Sequence, residues 1–198
     1  MRTDPRQSAL LVVDIQEKLA PAVRHSQAVI ANTRMLVEAA GHLEIPVYFT
    51  EHCPNRIGHT VSPLLDAAPR DAIVFTKTHF SAVADPACGG QLQTIPQKHI
   101  AVAGTETHVC VLQTVLDLKT SGFEPRLVTD AVSSRYANDK HFAIERVVAA
   151  GVVPTTTETT MFEWLEHAEH DAFRAILELV KRPKSTELCN DTGTAPAG

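Results

Sequence analysis

The chain is 198 residues long, 44 % hydrophobic and 21 % charged, which is enough for one sizeable α/β domain with a buried core, and no composition shift marks a second. Its 18 basic and 23 acidic residues leave a net charge of -5 without long runs, poor material for a nucleic-acid surface. No window approaches the ~20 apolar residues of a membrane span, and residues 1–7 carry no apolar signal segment. The cysteines at 53, 88, 110 and 189 form no C-x-x-C pair, so free thiols in a reducing, cytoplasmic setting are expected.

Taken in order, residues 9–13 form a compact apolar run that reads as a strand buried on both faces, ending in Asp14. Ser26 is placed to cap a helix through about Leu43, with Val29, Ile30, Thr33, Leu36, Val37 and Ala40 at helical spacing and Pro46 beyond its end. A second strand over 47–50 leads into Glu51-His52-Cys53-Pro54-Asn55-Arg56-Ile57-Gly58-His59, a loop of turn residues and hydrogen-bonding groups suited to a pocket wall. Strand three, 72–76, delivers Lys77 at its end, with Thr78, His79, Phe80 and Ser81 just beyond. Asp85-Pro86 starts a short helix through Leu92, weakened by Gly89-Gly90.

Strand four, 100–103, is followed by Gly104, a Thr/Glu/Thr cluster and Cys110, which opens an apolar helix bearing Val111, Val115 and Leu118 and ending near Gly122. A cysteine there faces the positive end of the helix dipole, which favours the thiolate and lowers its pKa, and the free N–H groups of the turn suit a developing oxyanion. Strand five covers 126–129, and 130–135 reads as a polar loop. Asp139 opens a helix ended by Gly151, strand six is 152–155, and the last helices are 159–165 and 173–180. The domain is thus expected over 1–183, with 184–198, rich in Ser, Thr, Gly and Pro, as a mobile tail. Strands alternating with helices imply right-handed crossovers and a parallel sheet covered on both faces, with ligands at the C-terminal strand ends.

Asp14, Lys77 and Cys110 all fall at that edge. A thiol with a free pKa near ~8.5 is mostly protonated at neutral pH; an adjacent carboxylate can take its proton as attack begins, and a lysine beside both holds the carboxylate and favours the thiolate. None of the ten histidines falls at an equally convincing strand end.

Three separated motifs, Leu11-Val12-Val13-Asp14-Ile15-Gln16, Thr76-Lys77-Thr78-His79-Phe80-Ser81 and Gly104-Thr105-Glu106-Thr107-His108-Val109-Cys110-Val111-Leu112-Gln113-Thr114, resemble the signatures of the isochorismatase-like cysteine hydrolases, over roughly residues 8 to 181. The resemblance implies a three-layer α/β/α fold with a six-stranded parallel, Rossmann-like sheet and a catalytic triad of Asp14, Lys77 and Cys110. It also implies a cis peptide at Thr105–Glu106 that aims the amides of Glu106 and Cys110 at the substrate oxygen. True isochorismatases lack the cysteine, so its presence implies covalent attack on an amide or related acyl carbon. Nicotinamidases carry an Asp-x-His…His metal cluster after the second strand, where this chain has Glu51, His52 and His59; an improvised zinc site from these and Cys53 is the alternative to pocket lining or plain loop polarity.

The expectation is therefore a hydrolase of a small amide, imide or ester, with no cofactor and no metal. Its partners are a small-molecule substrate and further copies of the chain, with neither nucleic acid nor membrane. His52, Arg56, Phe80 and His108 are the candidate pocket residues. Its rivals are a metal-dependent nicotinamidase and an inactive binding protein of the same fold. A dinucleotide enzyme is disfavoured because Gly104-Thr105-Glu106 lacks the G-x-G-x-x-G of pyrophosphate sites.

Overall fold

A computed structural model describes residues 2–182. The tail expected over 184–198, Cys189 included, lies outside the described residues. Six strands form one sheet in the order β3-β2-β1-β4-β5-β6, all neighbours parallel: β1 Ser8–Val13, β2 Val47–His52, β3 Ile73–Lys77, β4 His99–Thr105, β5 Glu124–Ser133 and β6 Val153–Thr155. The order turns back beside β1, which makes the ends of β1 and β4 the switch point where open parallel sheets bind ligands.

Side-chain alternation along the strands explains the two helical layers. Leu10 and Val12 point to one face, under α1 (Ser26–His42), and Ala9, Leu11 and Val13 point to the other. Two four-residue helices, α2 (Pro54–Ile57) and α3 (Ser62–Leu65), lie inside what reads in sequence as plain loop; each has a proline in its first turn, where the missing N–H is tolerated. α4 is Pro86–Leu92, α5 Leu112–Thr120 and α6 Ala137–Ala149, and these cover the second face through Leu92, Val115, Leu118, Ala143 and Val147. α7 (Thr157–Leu165) and α8 (Phe173–Val180) join α1 on the first face, burying Met161, Trp164, Ile176 and Leu179.

Three local expectations are corrected. Ser26 does not cap α1: it is already the first helical residue, and the cap position is His25, in the left-handed region at φ 52°, whose side chain makes no capping bond to the helix. The helix expected to open at Asp139 begins at Ala137, leaving Asp139 in the first turn, where its charge suits the dipole. Residues 130–133 are strand: pairing of β4 with β5 breaks after Val102–Leu127 and resumes at Gly104–Val132 and Thr105–Ser133, so the intervening residues bulge and β5 continues. That resumption needs a glycine, since a Cβ on Gly104 (φ 145°) would come 2.1 Å from the Val13 carbonyl oxygen.

Candidate active site

Asp14 follows the last residue of β1 and turns out of the strand at φ 51°, a left-handed conformation that Asp tolerates better than most residues. Its N–H bonds to the Thr50 carbonyl at 3.1 Å and its own carbonyl accepts from Thr105 Oγ1 at 2.7 Å, so neighbours on both flanking strands hold it. Lys77 ends β3, separated from β1 by β2, and its long side chain spans that strand to place Nζ 2.6 Å from Asp14 Oδ2. Thr50, on the strand between, donates to Asp14 Oδ1 at 2.7 Å. The Lys77 ammonium also donates to the His79 and Phe80 carbonyls at 3.2 and 3.1 Å. Its three protons are therefore all used inside the protein. Both side chains of the ion pair are 0 % exposed, a burial tolerated because every charge on it is bonded.

Cys110 is 5 % exposed, and its thiol lies near enough to Asp14 and Lys77 for both charges to act on it. The expected helix start is instead a π-helical turn, Thr107–Val111, from which α5 continues. The Glu106 carbonyl accepts from the N–H groups of Val109 and Val111, the second an i to i−5 bond, straddling the amide of Cys110. The Thr105–Glu106 peptide is cis. The thiol differs from the sequence expectation: burial first, and then the Asp14 carboxylate, push it far above the ordinary range, while Lys77 pulls it down by less. Burial of the Cys110 thiol thus outweighs the favourable end of the helix dipole.

The candidate pocket residues divide. His52 is half-buried, its ring stacks on that of Phe80 at a centroid distance of 5.4 Å, and burial followed by the Lys77 charge lowers its pKa, so it is neutral at pH 7. Phe80 is 52 % exposed. Arg56 is exposed on α2 and lines a groove of about 950 Å³ with Cys53, Lys77, Thr78, His79 and Asp85. His108 does not line that groove; its ring meets Ser134 Oγ at 2.9 Å and Asp139 Oδ2 at 3.7 Å. Glu106, expected only as an amide donor, also uses its side chain, accepting from the Arg135 N–H and Nε at 3.0 Å each.

The improvised zinc site is not assembled: among the described residues no group of three or more His, Cys, Asp or Glu side chains is arranged to hold a metal ion. Glu51 accepts from the Thr60 N–H through Oε1 and pairs with His59 through Oε2, at 2.7 and 2.9 Å. His52, next in sequence, projects to the opposite face of β2, as strand alternation requires. Thr50 and Gln16 were not foreseen from the sequence, nor was the Thr105 hydroxyl, that residue having been expected only in the cis peptide. Gln16 spans the loop, donating to the His52 carbonyl at 3.1 Å and accepting from the His52 N–H at 2.7 Å. The available signal was a polar residue closing each otherwise apolar run.

No helix among the described residues is long and apolar enough to cross a membrane. The isochorismatase domain family matches residues 8–159. Isochorismatase family protein 1A of Dictyostelium discoideum is 33 % identical, over 94 % of this chain and 92 % of its own. The structure of MAR1 ribonuclease from Caenorhabditis elegans superposes with a TM-score of 0.88 at 35 % identity, covering 100 % of this chain and 99 % of that one. The YcaC gene product of Escherichia coli, described as an octameric hydrolase of unknown specificity, gives 0.83 at 26 %, over 90 % and 89 %. The chain belongs to the isochorismatase-domain family, within the isochorismatase-like cysteine hydrolases.

Proposed function

We propose that the chain hydrolyses a small amide, imide or ester through an acyl-enzyme on Cys110. The observation that carries the reading is the buried ion pair of Asp14 and Lys77, whose two charges both act on the Cys110 thiol. Because burial keeps the thiol protonated at rest, attack proceeds with general-base help: Asp14 takes the S–H proton as sulfur bonds to the carbonyl carbon. The negative charge moves from carboxylate to sulfur to oxygen, and the fixed Lys77 cation balances the first two without giving up a proton. The amides of Glu106 and Cys110 receive the oxyanion. Collapse breaks the bond to the leaving group, which takes the proton from Asp14. Water, deprotonated by Asp14, then attacks the thioester and returns the thiol.

The same reading includes a cytoplasmic setting, suited to the free thiols of Cys53, Cys88 and Cys110. It also includes association with further copies, on the precedent of the octameric E. coli relative.

A small-amide, imide and ester library, with nicotinamide included, tests the proposal, using intact mass spectrometry to trap the adduct. The expected result is turnover with an acyl adduct on Cys110, insensitive to chelation and absent in Cys110→Ala. Wild-type turnover by that variant would remove the covalent mechanism, and chelator loss restored by zinc would favour a metal-dependent nicotinamidase. Because the C. elegans relative is named a ribonuclease, RNA oligonucleotides belong in the same screen. RNA cleavage that tracks Cys110 would replace the acyl reading.

A further inference from the structure

Asp85 is 5 % exposed and plays no part in the reaction above. Its Oδ1 accepts from the N–H groups of Ala87 and Cys88 at 3.0 and 3.2 Å, capping α4. One oxygen satisfies a cap. The other, Oδ2, accepts from the N–H groups of Thr78 and His79 at 2.8 and 3.2 Å and from Thr78 Oγ1 at 3.3 Å, and lies 3.2 Å from His79 Nδ1. Burial alone raises a carboxyl; the amides of Thr78, Cys88 and His79 overcome it and hold Asp85 far below the usual carboxylate range.

The segment gathered by Oδ2 is the one whose next carbonyls, those of His79 and Phe80, take two of the three Lys77 protons. It is also tied to the nucleophile's helix, since the Ala82 N–H donates to Thr114 Oγ1 at 3.0 Å, one turn beyond Cys110. We propose that Asp85 is a positioning residue for Lys77: its second carboxylate oxygen fixes residues 78–80 so that their carbonyls aim the ammonium between Asp14 and Cys110. The proposal rests on the cysteine-hydrolase reading. The other charged and titratable groups facing Lys77 are Asp14, His52, Cys88 and Cys110.

The two roles open to Asp85 predict opposite signs. Removing its negative charge acts directly to favour the Cys110 thiolate, whereas loosening Lys77 disfavours it. Below its pKa a thiol reacts with iodoacetamide in proportion to its thiolate fraction, so a displacement of half to one pH unit is a rate change of roughly three- to tenfold. Peptide mapping of the full chain at pH 8 reads Cys110 separately from the other cysteines and needs no substrate. Asp85→Asn is expected to alkylate Cys110 about three- to tenfold more slowly than the parent. Asp85→Ser, which keeps a capping oxygen but loses the hold on Thr78 and His79, is expected to be equally slow.

An unchanged or faster rate in Asp85→Asn, or a parental rate in Asp85→Ser, overturns the positioning role and leaves a helix cap. Should Asp85→Asn open the fold, Cys88, 1 % exposed with its thiol pushed up to about 12, alkylates as well, and Asp85→Ser decides. Lys77→Met separates the two levels of the argument. If it does not slow Cys110, the triad reading fails; if it does and both Asp85 variants match the parent, only the inference fails.

Discussion

At the C-terminal ends of β1 to β3 two carboxylates each hold a basic side chain. Asp14 meets Lys77 at 2.6 Å with both side chains 0 % exposed, and Glu51 meets His59 at 2.9 Å with side-chain exposures of 5 % and 68 %. The contacts look alike, yet burial makes them different devices. In the first pair neither charge can be removed without stranding the other in a dry site, so the pair is obligatory and its charge is available only to a neighbour such as Cys110. In the second, solvent reaches the histidine and can replace it. A carboxylate–cation contact therefore says little about function until the exposure of both partners is known.

The largest expected effect comes from breaking the buried pair. Lys77→Met leaves Asp14 buried without its cation, and loss of one partner of such a pair costs about 3–5 kcal/mol. Urea unfolding at pH 7 checks this; a change under ~1 kcal/mol, the range of a surface pair, would place Lys77 outside the dry site. Turnover should be lost and Cys110 should alkylate more slowly. Asp14→Asn makes the opposite contrast at the thiol: with the carboxylate gone Cys110 should alkylate faster, yet turnover should fall, because the proposed mechanism uses Asp14 as its general base. Parallel changes in alkylation and turnover for the two variants would mean that the thiolate population alone sets the rate.

Thr50→Val sharpens the comparison at intermediate size. It preserves shape in β2 but removes the hydroxyl donated to Asp14 Oδ1 at 2.7 Å, and a hydrogen bond to a charged group contributes about 1.5–3 kcal/mol. Turnover should drop while the Lys77–Asp14 contact persists. A variant as stable and active as the parent would show that the Asp14 carboxylate does not depend on its second oxygen being bonded.

Strands β1 to β4 were legible because each carries a short apolar run closed by a polar residue, and that pattern also placed Asp14 and Lys77 at one edge; β5, which runs on past Thr129 through a bulge, was legible only in its first half. What was not legible is pairing between groups distant in sequence. Thr50 is an ordinary strand-end threonine until β2 is known to lie between β1 and β3. Asp85 was readable as a cap because Pro86 follows it, but its second oxygen depends on how residues 78–79 fold back. The π turn at Thr107–Val111 was read as the start of an α-helix because both leave the same apolar spacing over the next residues. The thiol's raised pKa was missed for a related reason: helix position is visible in sequence, and the burial that outweighs it is not.

The smallest effect is expected at the exposed pair, where His59→Ala should change pH dependence and leave turnover unaltered. Burial pushes Glu51 up, but the Thr60 amide and His59 outweigh it and the carboxyl is lowered from its ordinary 4.5. His59 is raised from 6.5, by its hydrogen bond to Glu51 and then by that charge. A raised histidine stabilises the fold fully below 6.5 and loses that contribution as pH rises through its higher folded value. A lowered carboxylate does so above 4.5 and loses it as pH falls through its lower folded value. The pair therefore acts fully between 4.5 and 6.5, so the melting temperature of the parent should exceed that of His59→Ala most within that window and converge with it toward pH 8. A constant gap from pH 5 to 8 would mean that the ring contributes by packing alone, and lost turnover at any pH would bring the loop into the site.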